Sequence, residues 1–101
     1  MTDTTLDLPP GQMVVRSESF AGNKLNYQLI GENTGNEKYP VTYGVRVETS
    51  LFGSLQDVQI GDITVNKAYA EELFSLLVTY LVTPISLKDV IEDFLYEKYS
   101  C

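Results

Sequence analysis

The residues whose types and spacing could do chemistry are few. Asp89, Glu92 and Asp93 stand at i, i+3 and i+4, a spacing that on a helix gathers three carboxylates as a hard cation or an acid–base pair would require. A Mg²⁺ or Ca²⁺ site normally draws ligands from more than one chain segment, and acid–base work needs carboxylates in a cleft that shifts their pKa values. These three lie opposite an apolar stripe and read as a solvated face. Nucleophilic devices lack their base, because the chain has no histidine and its one cysteine, Cys101, is the last residue. The missing histidine also removes the commonest transition-metal ligand. Gly31 and Gly35 lack the spacing and the following lysine of a phosphate-binding loop. The sequence therefore assigns no catalytic residue, no metal ligand and no cofactor, and it reads as nonenzymatic.

The elements that would position any site belong to a single domain. With 101 residues the chain can bury somewhat under about two-thirds of its unfolded surface and needs no staple. Fourteen acids against seven bases give a net charge of −7, and the bases are scattered singly at Arg16, Lys24, Lys38, Arg46, Lys67, Lys88 and Lys98. Phosphate neutralisation drives most nucleic-acid affinity, so binding of DNA, RNA or an anionic membrane is disfavoured. The first ten residues carry two acids, no base and no apolar run, unlike a signal peptide. The longest mostly apolar run, residues 73–82, is interrupted by Ser75 and Thr79 and falls short of the roughly 20 residues a spanning helix needs. A lone cysteine fits a reducing compartment, and the expected location is cytoplasmic.

Residues 1–12 end in Pro9-Pro10-Gly11 and read as a disordered lead, with the single domain over 13–101. Residues 13–20 suggest a strand of ambiguous register, since Arg16 and Glu18 share a parity with Val14 and Phe20. Ala21-Gly22-Asn23 is a turn, after which Leu25, Tyr27 and Leu29 alternate with Asn26 and Gln28 as in a half-buried strand. Residues 31–38 carry no apolar side chain and two glycines, which predicts a mobile loop. Tyr43, Val45 and Val47 then define a buried face opposite a wet one of Thr42, Gly44, Arg46 and Glu48. A turn at 51–54 leads to a short strand over 56–60 with Val58 and Ile60 inward.

Beyond Gly61 the period becomes helical. Thr64 or Asn66 can cap a helix running to Val82, whose apolar positions, Tyr69 to Leu81, sweep an arc of about 200°. Pro84 disfavours helical geometry at Thr83 and ends that helix. Ser86 and Asp89 form a variant capping box that starts a second helix at Leu87, with Leu87, Val90, Ile91, Phe94 and Leu95 as its apolar stripe. The predicted fold is α+β, in the order β-β-β-β-α-α, with a four-stranded antiparallel meander sheet and a two-helix hairpin packed on one face.

At Tyr43-Gly44, Asp62-Ile63-Thr64, Glu72-Leu73, Leu76-Leu77 and above all residues 82–95, VTPISLKDVIEDFL, the chain resembles a family of small uncharacterised proteins of clostridia and related Firmicutes. The resemblance covers the second half of the chain and the Tyr43-Gly44 strand. It implies a bacterial cytosolic origin and no assigned activity, so it carries over no functional residue.

What remains is surface. If both helices cover one side of the sheet, the other offers Gln28, Gly44 and Arg46 among its polar residues, with Gly44 permitting close approach or marking a bulge. Tyr96 stands on the polar side of the last helix, where an exposed aromatic beside acids suits an interface. Edge strands add strand addition or homodimer pairing as routes. The reading is a noncatalytic protein-interaction or regulatory module with a protein partner or a second copy. The alternative is a small-ligand or nucleotide-binding domain using the groove between sheet and helices, and a carboxylate-dependent enzyme comes third.

Overall fold

The computed structural model describes residues 10–22, 24–50, 53 and 55–99. Four strands, β1 (Gln12–Phe20), β2 (Leu25–Asn33), β3 (Val41–Thr49) and β4 (Gln56–Thr64), precede two helices, α1 (Lys67–Thr79) and α2 (Pro84–Tyr99). The strands form one antiparallel sheet in the order β1-β2-β3-β4, the predicted meander. Both helices pack on one face: α1 chiefly over β2, with β3 and β4 also beneath it, and α2 over β4 and β3. The disordered lead expected over 1–12 falls mostly on residues 1–9, outside the described residues, while Gln12 already belongs to β1. The turn expected at 51–54 also lies outside them except for Gly53, as does Cys101.

The core forms because period-two strands and period-3.6 helices present their apolar sides to each other. Leu25, Tyr27, Leu29, Val45 and Val47 from the sheet meet Ala70, Leu73, Phe74 and Leu77 of α1 and Leu87, Ile91 and Phe94 of α2. Each fully buried aliphatic or aromatic side chain contributes about 1.5–3 kcal/mol relative to exposure. Tyr27 is the polar exception in that layer. Its hydroxyl donates to the Val82 carbonyl oxygen at 2.9 Å, and its ring meets Phe20 edge-on with centroids 6.0 Å apart. The buried phenol thus fastens the connector between the helices to the middle of the sheet.

Two bulges explain where strand parity misled. Val14 faces Ile30 and Arg16 faces Leu29, so Val15 is an extra residue in β1. The insertion moves Arg16, Glu18 and Phe20 to the helix side, while Val14 stays on the open side with Ile30, which resolves the ambiguous register. In β4 the irregularity is larger: Tyr43 pairs Thr64 and Val45 pairs Ile60, leaving Gly44 opposite Gly61, Asp62 and Ile63. The strand therefore runs four residues past the expected end at Ile60. Asp62 adopts a left-handed φ of 53° and accepts a 2.8 Å hydrogen bond from the Thr42 hydroxyl. Thr42 and Gly44, expected to be wet, are buried as a result.

The segment expected to be a mobile loop is well tied. Gly31, Glu32 and Asn33 complete β2, and the Asn36 side-chain oxygen accepts from the Lys38 and Tyr39 amides at 2.7 and 3.1 Å. The Thr34 hydroxyl donates to the Tyr39 carbonyl and accepts from the Asn36 amide. Such side-chain turns replace the ladder bonds a loop lacks.

Helix ends also differ from expectation. Asn66, one of the two expected caps, caps α1, its side chain accepting from the Tyr69 amide. The helix stops at Thr79 rather than Val82, because the Leu81 amide donates to Val78 and the Val82 amide to Leu77, the paired bonds of a Schellman ending. Leu81 takes the left-handed position of that motif, with φ 49°. The second helix begins at Pro84, three residues before the expected Leu87. Proline suits a first helical position, where its missing N–H is an orphan anyway. The expected Ser86 capping box is consequently absent: Ser86 lies inside the helix and its amide donates to the Thr83 carbonyl.

Candidate interaction surface

The sheet's open face is polar and occupied with itself. Gln28 and Arg46 are direct cross-strand partners, and Arg46 in turn faces Gln59. The Arg46 guanidinium makes two bonds to the Asp57 carboxylate, Nε to Oδ1 at 2.9 Å and NH2 to Oδ2 at 2.5 Å, with Glu48 3.9 Å away. The hydrogen bonds to Asp57 hold Arg46 above the ordinary guanidinium pKa, and the same bonds hold the Asp57 carboxyl below the ordinary carboxylate value. Asn26 continues the row, donating to Glu48 at 3.4 Å and accepting from the Ser19 hydroxyl at 2.7 Å. The Gln59 side-chain amide reaches Gln12 at 3.5 Å, joining side chains of the first and last strands across the face.

Gly44 offers no opening there. A Cβ at this position would strike the Ile60 carbonyl oxygen and lie 2.7 Å from the Gly61 Cα, so the space is filled by the bulged backbone of β4. Gln28 is half-buried, and its Oε1 has no hydrogen-bond partner among the described residues. Of the four residues picked out as a candidate surface, Gln28, Gly44 and Arg46 share this face, whereas Tyr96 lies on α2 in the other layer.

The helical layer is different. Tyr96 is 75% exposed, and Ile85, 79% exposed, stands eleven residues earlier on the same side of α2, about three turns away. Tyr80 and Leu81, in the connector that leads into α2, are 74% and 50% exposed. Among the described residues, the other exposed large apolar side chains are Met13, Tyr39, Leu55, Val65 and Tyr99; Met13, the one of these within a strand, pairs with Gly31 on the helix side of the sheet. Sequence reasoning missed Ile85 by placing it in a connector, and it placed Tyr80 and Leu81 on a buried helical arc. The available signal was the proline: with a helix starting at Pro84, Ile85 falls into line with Asp89, Glu92 and Tyr96.

A clasp fixes the far end of α2. Lys98 Nζ lies 2.8 Å from the Glu72 carboxylate and 5.4 and 5.6 Å from the Tyr69 and Phe94 ring centres. The hydrogen bond to Glu72 raises the Lys98 pKa above its ordinary value. Tyr99 meets Tyr69 edge-on at 5.4 Å, and its hydroxyl is 2.6 Å from that of Thr64, which also accepts from the Asn66 amide. Tyr99 is thereby bound into the fold, whereas Ile85 and Tyr96 are largely exposed among the described residues.

The remaining chemistry stays dispersed. Asp89, Glu92 and Asp93 are exposed on the outer side of α2, with Lys88 4.0 Å from Glu92, and no cluster of three or more metal-ligating side chains occurs among the described residues. Between sheet and α1, a gap lined by Leu29, Tyr43, Val45, Ile63, Thr64, Ala70 and Leu73 has no room for a water molecule, so the groove is closed there. No helix among the described residues is long and apolar enough to cross a membrane.

Fold and surface together define a small α+β domain: a four-stranded meander sheet covered on one face by two helices. Residues 10–97 match a family of unknown function, DUF6514, and the chain belongs to that family. No curated protein and no solved structure matches it.

Proposed function

We propose that the domain is a noncatalytic protein-interaction module whose contact surface is the outer side of α2 and the connector before it. The observation that carries this reading is the alignment of Ile85 and Tyr96 on one exposed helix face, with Tyr80 and Leu81 exposed in the connector that leads into the helix. Interfaces recruit aromatic and large aliphatic anchors held on rigid elements, and scattered single exposures do not gather on one side of one element. The open sheet face is the weaker choice, because Arg46, Asp57, Glu48 and Asn26 already satisfy one another and a partner would have to displace those bonds. The lack of histidine supports a noncatalytic role, and a lone cysteine together with the family resemblance supports a bacterial cytosol.

Affinity purification with mass spectrometry tests this, comparing the unaltered chain with Ile85→Asp/Tyr96→Ala and with Arg46→Ala. The expected result is a partner retained by the unaltered chain and by Arg46→Ala but lost by the double variant, with all three keeping their thermal transitions. Retention by the double variant, or loss with Arg46→Ala alone, would overturn the assignment.

A further inference from the structure

The outer edge of β1 is the one part of the sheet where charge, register and clearance select a specific occupant. β1 ends the strand order, so among the described residues no strand pairs its outer side. The other edge, β4, is broken by the three-residue bulge with Asp62 left-handed, which blunts it against further pairing. Beyond the Val15 bulge, β1 runs regularly from Arg16 to Phe20, with Arg16, Ser17, Glu18 and Ser19 all exposed. Arg16 and Glu18 point to the same face. Arg16 has one loose ion pair, 3.5 Å to Glu71, and lies 5.6 Å from the Phe74 ring centre, while the Glu18 carboxylate has no ion pair among the described residues.

We propose that the chain pairs with a second copy of itself through this edge, antiparallel and in a register centred on Ser17. A two-fold axis normal to the sheet brings opposite each other only residues that point to the same face, so each allowed register centres on a residue. Centring on Arg16 sets Arg16 against Arg16, and centring on Glu18 sets Glu18 against Glu18. Like charges directly opposite are destabilising, whereas opposite charges in that position stabilise. Centring on Ser17 sets Arg16 of each copy against Glu18 of the other, twice by symmetry. Centring on Ser19 runs past the end of the strand at Phe20.

The helices leave room. With α1 chiefly over β2 and strands about 4.8 Å apart, the two α1 helices would lie about 14 Å from each other, beyond the 8–10 Å of packed helices. The result is a continuous eight-stranded sheet with both helical layers on one side. Its ladder is short, so the association is weak and concentration-dependent.

Sedimentation velocity on the full chain, from about 10 µM to about 1 mM, tests the pairing. The unaltered chain is expected to dimerise within that range, and Glu18→Arg and Arg16→Glu are each expected to weaken association by about tenfold or more. Mixed in equal amounts, the two variants should recover it, since one chain then carries two acids and the other two bases at positions 16 and 18. The double swap Arg16→Glu/Glu18→Arg should recover it as well. Glu18→Arg removes no existing ion pair and keeps the test sound if Arg16→Glu loosens the fold. In a Cys101→Ser background, Ser17→Cys should form a disulfide-linked dimer on mild oxidation and Ser19→Cys should not. A chain monomeric throughout, single variants that dimerise as tightly as the original, or equal cross-linking at Ser19 would each overturn the proposal.

Discussion

At the scale of single residues, the fold depends on a few side chains that do what their type ordinarily resists. Tyr27 is fully buried, and burial pushes its phenol up to about 12 from an ordinary value of 10.0. Its hydroxyl is the donor for Val82, so Tyr27→Phe should cost about 1–2 kcal/mol at neutral pH, read from urea unfolding. The pH dependence follows from the raised value. Below about pH 10 the phenol is neutral in both folded and unfolded chains, and its contribution is complete; between about pH 10 and 12 only the unfolded chain ionises, and about 2–3 kcal/mol is lost. The stability gap between the unaltered chain and Tyr27→Phe should therefore close as the pH rises through that window and reverse sign near its top. Leu81 is the converse case, an exposed side chain in a left-handed position that favours glycine. Leu81→Gly should stabilise by about 0.5–1 kcal/mol, and an unchanged or lower thermal midpoint would refute this account of the helix ending.

At the scale of elements, the bulges decide more than the strands do. Gly44→Ala should destabilise by about 2–3 kcal/mol, because its methyl group would enter the β4 backbone between Ile60 and Gly61, and only a shift of the bulge could accommodate it. Denaturant titration would check this, and a neutral result would mean that β4 is less firmly seated than its pairing implies. The same bulges mark the limit of what sequence reading can give. Tyr27 with Leu29, and Val45 with Val47, alternate cleanly and were legible as a half-buried sheet, as was the Leu87, Ile91 and Phe94 stripe of α2. An inserted residue inverts parity, and Val14 beside Arg16 was its visible trace, read as ambiguity because nothing in the residue types says where the extra residue sits. Pro84 was equally double-edged. Proline stops one helix and starts another with the same chemistry, and choosing the first reading hid Ile85. Tyr96 was legible as exposed, while Gly44 read as an open surface because the three-residue bulge that fills it has no sequence signature.

At the scale of the whole molecule, the two layers depend on each other. The sheet's inner residues Leu25, Tyr27, Leu29, Val45 and Val47 are covered by α1 and α2, and Phe94, Ile91 and Leu87 supply the part of that cover that α1 does not. Removing residues 86–101 should abolish the cooperative thermal transition, and a truncated chain that still melts sharply by circular dichroism would show the sheet and α1 to be self-sufficient. The clasp of Lys98 with Glu72, Tyr69 and Phe94 shows why the far end of α2 matters: it ties the helix back to the start of α1. This order of elements has a consequence during synthesis. All four strands precede both helices, so a ribosome that has finished β4 at Thr64 must add a further 35 residues before α2 is complete at Tyr99. At elongation speeds of about 5–20 residues per second that interval is about 2–7 s, during which the apolar face of the sheet has no cover of its own. A nascent chain in that state exposes the residues that later meet α1 and α2, and the domain closes only when its last helix emerges.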